Sequence, residues 1–142
     1  MSDIVFVDKR REFQAGFDRL LEVALTESAI TAEDKCVQEI SGHGNHDNKA
    51  VDTGRLMGSI TYRTSVGGDE PRAPVKPTPD AGSEDGLKGR APRGTAYIGT
   101  NVSYAAHVEF GTKRMRPRPF MRVGCENAVP LIRRIFKRRL GG

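Results

Sequence analysis

The 142-residue chain has no tryptophan, two cysteines and no long unbroken run of apolar residues. Cys36 and Cys125 are too few and too far apart in sequence to suggest a disulfide framework or a zinc site. No apolar run approaches the ~18 residues that a membrane-spanning helix needs. Residues 1–8 carry acidic side chains and no basic cluster, so a secretory signal is not expected. These absences predict a soluble protein made in a reducing cytoplasm, without a membrane partner.

The sequence also lacks the residue patterns that catalysis requires. It contains no glycine-rich phosphate loop and no nucleophile elbow. His107 and Glu109 would point to different faces of a short helix, and no third group is placed to orient them. His43, His46 and Asp47 could ligate a metal, but they lie in a glycine-containing turn with no further ligand pair. We therefore predict a protein that is not an enzyme, with no catalytic, cofactor or metal site.

The length fits one domain spanning 1–142. Apolar residues recur at three- and four-residue steps from Phe13 to Ile40, which predicts a helix over about 8–41. A capping-box pattern at 31–34 allows a kink or a restart within it. Thr53 is predicted to cap a helical turn over 54–58. Alternating β-formers predict antiparallel strands at 59–66 and 95–100.

The remaining elements complete the predicted architecture. Ser103 is predicted to cap a short helix that ends at Gly111, and a final helix is predicted to begin at Phe120. Pro130 should kink that helix or mark a restart. The polar, Pro/Gly-rich stretch 67–94 is predicted to be a projecting or mobile loop. The predicted fold class is α+β, with a long N-terminal helix and a C-terminal helix packed on a small antiparallel β-sheet.

Positive charge is concentrated in the C-terminal segment 113–142. Residues 113–139 contain ten Lys/Arg and one acid, a net +9, whereas residues 1–112 contain thirteen bases and seventeen acids, a net −4. Two interpretations stay open, namely phosphate neutralisation without base readout, and electrostatic support of a helix end together with solubility. The candidate DNA-lumen or inter-ring contact residues are Arg114, Arg116, Arg133, Arg134, Lys137, Arg138 and Arg139.

Two motifs combine a tight turn, a helix start and an anchoring aromatic side chain. One is VDTGRL at 51–56, and the other runs from YAAHVEFGT at 104–112 to RPF at 118–120. The candidate structural residues are Asp52, Thr53, Gly54, Arg55, Leu56, Tyr104, Glu109, Phe110, Gly111, Arg118, Pro119 and Phe120. Together with YIGT at 97–100, these motifs resemble the tailed-bacteriophage neck and tail-completion family, the minor head–tail joining components of long-tailed phages.

The resemblance implies a structural virion protein without a cofactor, made in the bacterial host cytoplasm. It implies a ring, six-fold in this family, between the capsid connector and the tail tube, in a neck, tail-completion or tail-terminator position. The implied partners are copies of the chain, the adjacent connector or head-closure and tail proteins, and packaged DNA contacted without sequence preference. The C-terminal bases would face the DNA lumen or pair with acidic patches on an adjacent ring.

The resemblance also suggests a role for each motif. Residues 52–54 would fix the turn from helix to sheet, and 109–111 would bury an aromatic side chain where the chain reverses. Residues 118–120 would present a stiff basic strand that ends in a hydrophobic anchor. Two alternatives from other classes remain, a small basic nucleic-acid-binding protein that uses the C-terminal helix directly, and a processing enzyme.

Overall fold

The structure, a computed structural model, describes residues 8–42, 54–72 and 82–141. Its helices are α1 (Arg10–Ile40), α2 (Arg55–Ser59), α3 (Ala105–Phe110) and α4 (Met121–Leu140), and its strands are β1 (Thr61–Arg63) and β2 (Tyr97–Gly99). A short 3₁₀ turn spans Ser83–Asp85. The predicted α+β class, with two long helices and a small antiparallel sheet, is confirmed.

Helix α1 is a single helix of 31 residues. The hydroxyl of Thr31 donates a hydrogen bond of 2.9 Å to the carbonyl oxygen of Glu27, four residues earlier. This is how a threonine in a helix interior satisfies its hydroxyl, and it leaves the side chain unable to cap a new helix start. The restart considered at 31–34 is therefore wrong.

Helix α4 continues across Pro130. Proline removes the hydrogen bond to the carbonyl group four residues earlier, which belongs to Glu126. Both residues are exposed, so water can satisfy that carbonyl group. Of the two outcomes predicted for Pro130, a restart of the helix is excluded.

Strands β1 and β2 pair antiparallel, with Thr61 opposite Gly99 and Arg63 opposite Tyr97. The pairing matches the prediction, but each strand has three residues instead of the longer runs expected. Ser59 belongs to α2, where its hydroxyl donates to the carbonyl oxygen of Leu56 at 2.7 Å. After β1, the backbone N–H of Thr64 donates to the carbonyl oxygen of Gly67, which turns the chain away from the sheet.

The starts of α2 and α3 differ from the predictions. The N-cap position of α2 is Gly54, with φ +73°, one residue later than predicted, and Thr53 lies outside the described residues. The N-cap position of α3 is Tyr104 instead of Ser103, and no side chain caps this helix. Both helices are short and held by packing, since Leu56 and Val108 are buried in the core, so a side-chain cap is not needed to form them.

The core lies where α1, α4 and the sheet meet. Helix α1 packs along α4, and both strands contact α1. Gly124 of α4 faces Cys36 of α1 so closely that a Cβ atom on the glycine would lie 2.5 Å from the Cα atom of Cys36. The buried cluster consists of Cys36, Ile40, Leu56, Ile60, Val102, Val108 and Phe120. Cys36 and Phe120 are therefore core residues, as predicted.

The described flanks of the 67–94 stretch are bound to the body of the subunit. The guanidinium group of Arg63, which is largely buried, donates to the carbonyl oxygens of Leu87 and Asp69 and to the carboxylate of Glu70. The backbone N–H of Ala91 donates to the carbonyl oxygen of Thr64 at 3.2 Å. Residues 73–81 lie outside the described residues, so a projecting or mobile loop stays a prediction for that part.

Glu33 gives the fold a dependence on pH. Its side chain is 1% exposed and accepts a hydrogen bond of 2.7 Å from Arg72. Burial, reinforced by the neighbouring Asp69 carboxylate, raises the pKa of Glu33 to about 8. The folded state therefore holds a proton that the unfolded state releases near its ordinary pKa of 4.5.

We expect the free energy of unfolding to fall by about 2–4 kcal/mol as the pH rises from about 4.5 to about 8, because over this range the unfolded state has released the Glu33 proton and the folded state still holds it. Glu33→Gln, which is permanently uncharged, should flatten this decline. Urea unfolding of both proteins at several pH values measures it. An unchanged slope in the variant would rule out Glu33 as the source.

Candidate assembly surfaces

The first motif ties α2 to the 3₁₀ turn. Arg55 donates two hydrogen bonds to the carboxylate of Asp85, at 2.9 and 2.8 Å. This pairing lowers the pKa of Asp85. Leu56 is in the core, while Asp52 and Thr53 lie outside the described residues. The described part of the motif therefore has a structural role within the chain, and Asp85 is a partner that no local sequence pattern indicated.

The second motif caps α4 from a distance. The carboxylate of Glu109 accepts hydrogen bonds from the backbone N–H groups of Phe120 and Met121, both at 2.9 Å, and of Arg122 at 3.1 Å. These groups belong to the N-terminal turn of α4, where backbone N–H groups lack partners within the helix and the helix dipole favours negative charge. Glu109 thus joins the end of α3 to the start of α4.

The chain reverses between α3 and α4 at Gly111, as predicted. Its φ is +77°, and a Cβ atom there would lie 2.7 Å from the backbone nitrogen of Pro117. The segment that returns toward α4 is held by a 2.7 Å hydrogen bond from the backbone N–H of Arg118 to the carbonyl oxygen of Val108. Phe120 then enters the core with 1% exposure.

The predicted burial of an aromatic side chain at 109–111 is wrong, because Phe110 is 77% exposed. Helix α3 buries the face that carries Val108, and Glu109 is turned toward α4. Tyr104 packs against the core from the other end of the motif. The anchoring aromatic residues are therefore Tyr104 and Phe120, and Phe110 is presented to solvent.

The long apolar stripe of α1 divides into two parts. The buried residues of α1 all lie between Ala24 and Ile40, whereas Ile30 and most apolar residues of the N-terminal part are exposed. The rings of Phe13 and Phe17 stack on each other, with centroids 6.5 Å apart, and Phe13 is 75% exposed. We refer to the exposed set as the α1 apolar face, which comprises Phe13, Phe17, Leu20, Val23 and Ile30.

A groove of about 1150 Å³ runs beside the α1 apolar face, between α1, the 65–66 turn, Arg93 and the end of α4. Val23, Ile30 and Val66 contribute apolar lining. Glu22 also lines it, with one carboxylate oxygen accepting a 3.3 Å hydrogen bond from the backbone N–H of Gly94. The other carboxylate oxygen of Glu22 is buried without a hydrogen-bond partner among the described residues. The apolar part of the lining is continuous with the α1 apolar face through Val23 and Ile30, and exposed apolar patches of this kind are found at interaction surfaces.

The seven candidate basic residues differ in their contacts. Arg138 and Arg139 both pair with the carboxylate of Glu27 on α1, the latter at 2.9 Å, so they connect the two long helices. Arg133, Arg134 and Lys137 are exposed on α4, and Arg114 and Arg116 are exposed on the segment between α3 and α4. Arg138 and Arg139 therefore contribute to the contact between α1 and α4, and both interpretations of the basic segment stay predictions.

Within the described residues, no helix is both long and apolar enough to cross a membrane. In the same part of the chain, no group of three His, Cys, Asp or Glu side chains could hold a metal ion. The candidate ligands His43, His46 and Asp47 lie outside it. Comparisons with protein-family models, curated proteins and solved structures found no match for this chain.

Proposed function

We propose that this chain is a structural subunit of a long-tailed bacteriophage virion, which assembles with copies of itself into a ring at the head–tail interface. The ring joins the capsid connector to the tail tube and lets DNA pass. The resemblance of the motifs supports the virion role and a six-fold ring. The observation that carries self-assembly is the α1 apolar face.

Exposure of the α1 apolar face to water is unfavourable in free energy. Exposed large apolar side chains that lie together mark interaction surfaces in soluble proteins. Here two stacked phenylalanines continue directly into the stripe that forms the core farther along the same helix. The buried residues of α1 therefore pack in the core of their own subunit. The exposed α1 apolar face of the same helix is available to a neighbouring subunit.

A second exposed apolar group lies on a different element, since Phe110 belongs to α3. Contacts between two different patches of identical subunits are head-to-tail, and they form a ring when the rotation between subunits closes. In the proposed ring, Phe110 of one subunit packs against the α1 apolar face of the next. This arrangement covers both patches with one repeated contact.

The exposed bases supply the proposed contact with DNA or with an adjacent ring. Arg133, Arg134 and Lys137 are exposed near the end of α4, and the aromatic side chain between them, Phe136, is half-buried. In a lumen, they would bind DNA without sequence preference, and this binding would weaken steeply with salt.

Replacing Phe17 and Leu20 by serine should abolish assembly and leave the subunit folded, because both side chains are exposed in the monomer. Sedimentation velocity measures assembly, and thermal unfolding followed by circular dichroism checks the fold. Val129→Ser is the matched control, since Val129 is also an exposed apolar residue but lies on α4. Assembly of the double variant at wild-type concentration would contradict this interface.

The second candidate function is a small basic nucleic-acid-binding protein. The exposed bases of α4 favour it, but pairing of Arg138 and Arg139 with Glu27 reduces the charge available to phosphate. A gel-shift assay at moderate salt separates the two functions. Tight binding by a monomer would support the second, whereas heads and tails left unjoined by a phage lacking this chain would support the first.

A further inference from the structure

The two cysteines, which are 89 positions apart in sequence, meet at the contact between α1 and α4. Their sulfur atoms are 3.8 Å apart, and both are free thiols. Cys36 is fully buried, and its thiol also lies 3.6 Å from the carbonyl oxygen of Met121. Cys125 is half-buried and is the more exposed residue of the two.

The packing of the helices brings the two sulfur atoms close together. Gly124, next to Cys125, has no side chain, and the backbone of α4 therefore comes into contact with α1 at Cys36. A disulfide needs Cα atoms about 4.4–6.8 Å apart and sulfur atoms about 2.05 Å apart. The two sulfur atoms must approach by roughly 1.8 Å to bond, and rotation about a Cα–Cβ bond moves a sulfur atom by more than that.

The two thiols differ in reactivity. The hydrogen bond from Cys36 lowers the pKa of Cys125 to about 7, so the thiolate of Cys125 is well populated at neutral pH. The same hydrogen bond, together with burial, raises the pKa of Cys36. The thiolate is the nucleophilic form of cysteine. Cys125 is thus the less buried and more acidic thiol of the pair, and Cys36 is a buried thiol in contact with it.

We propose that Cys36 and Cys125 form a dithiol site that reacts with hydrogen peroxide and closes into a disulfide linking α1 to α4. In the first step, the Cys125 thiolate attacks a peroxide oxygen, the O–O bond breaks, and a sulfenic acid forms as hydroxide leaves. In the second step, the Cys36 sulfur attacks the Cys125 sulfur, the S–O bond breaks, and the oxygen leaves as water with the Cys36 proton. Two thiols lose two electrons, and one peroxide becomes two waters.

Closure of this disulfide would lock the two longest helices together. The bond would restrain the long segment between residues 36 and 125 in the unfolded chain, which stabilises the folded state. Such a link is stable outside a cell and reversible in a reducing cytoplasm. The inference does not rest on the proposed function, because both thiols belong to the same chain.

Intact-mass analysis after treatment with hydrogen peroxide under native conditions tests the proposal. The wild-type chain should lose the mass of two hydrogen atoms and become unreactive toward N-ethylmaleimide after unfolding. Its Tm should rise by roughly 10 °C and return on reduction. Two remaining maleimide-reactive thiols, or dimers linked between chains on a non-reducing gel, would overturn the proposal.

Single-cysteine variants distinguish the attack of Cys125 on peroxide from the closure of the disulfide by Cys36. Cys36→Ser should stop at the sulfenic acid of Cys125, which dimedone traps, and Cys36→Ala provides the same test should the buried hydroxyl impair folding. Cys125→Ser should leave Cys36 unmodified by peroxide until the protein unfolds. Equal dimedone labelling of wild type and both Cys36 variants would show that Cys36 does not resolve the intermediate, which would also overturn the proposal.

Discussion

Replacing Glu109 by alanine is expected to destabilise the protein by about 2–3 kcal/mol, and replacing it by glutamine by about half as much. Its carboxylate accepts three backbone hydrogen bonds at the start of α4. Phe120, at the N-cap position, has no side-chain acceptor of its own. Alanine would leave these N–H groups to water and remove the negative charge at the positive end of the helix dipole. Glutamine would keep one acceptor oxygen.

Urea unfolding at neutral pH measures the loss, with Glu126→Gln as the matched control. Glu126 is also a glutamate near the start of α4, but it makes an exposed pair with Arg122 at 3.4 Å. Such pairs contribute roughly 0.3–0.5 kcal/mol. If the substitutions at Glu109 lower the free energy of unfolding as little as Glu126→Gln does, Glu109 is not the cap of α4 in solution.

Gly124→Ala is expected to cost at least about 3 kcal/mol and to loosen the contact between α1 and α4. The added methyl group would lie 2.5 Å from the Cα atom and 2.6 Å from the backbone nitrogen of Cys36. These are backbone atoms of a helix, so they cannot move aside by changing a rotamer. The two helices must separate, which also opens the core around them.

Gly16→Ala is the matched control, since Gly16 lies in α1 and a Cβ atom there meets nothing within 4 Å. Alanine favours a helix over glycine, so this substitution should stabilise the protein by about 0.5–1 kcal/mol. Thermal unfolding of both variants gives opposite shifts in Tm if the packing is as described. A Gly124→Ala protein as stable as wild type would contradict the close approach of the helices.

Local sequence patterns predicted the elements that depend on local chemistry. Apolar residues at three- and four-residue steps indicated α1, and alternating β-forming residues indicated β1 and β2. Gly111 indicated the end of α3. These features are encoded within a few residues of where they appear. The strands were shorter than predicted because hydrogen bonds outside the sheet, such as that from Thr64 to Gly67, compete for the same backbone groups.

Features that depend on distant residues could not be predicted in this way. Glu109 caps a helix that begins twelve residues later, and Asp85 pairs with a residue thirty positions earlier. The cysteines meet because Gly124 allows α4 to approach α1. Glu109 is followed by a phenylalanine and a glycine, and this local sequence does not indicate that it caps a later helix. Local sequence likewise does not indicate the pairing of Asp85 with Arg55 or the contact between the cysteines.

The division of the α1 stripe was also beyond sequence analysis. A helical period identifies one apolar face but does not say how much of it a single subunit can cover. In this chain α4 packs along α1, and the exposed set from Phe13 to Ile30 includes residues outside that contact. A sequence with this pattern is consistent with a larger core or with a neighbouring subunit.

Native mass spectrometry of the purified chain, combined with negative-stain imaging, tests most directly whether this protein assembles with copies of itself into a ring that covers the α1 apolar face. We predict one closed oligomer, with six copies seen as an annulus, that dissociates when Phe17 and Leu20 are replaced by serine. A wild-type chain that stays monomeric at high concentration, with the α1 apolar face open to solvent, would contradict the account.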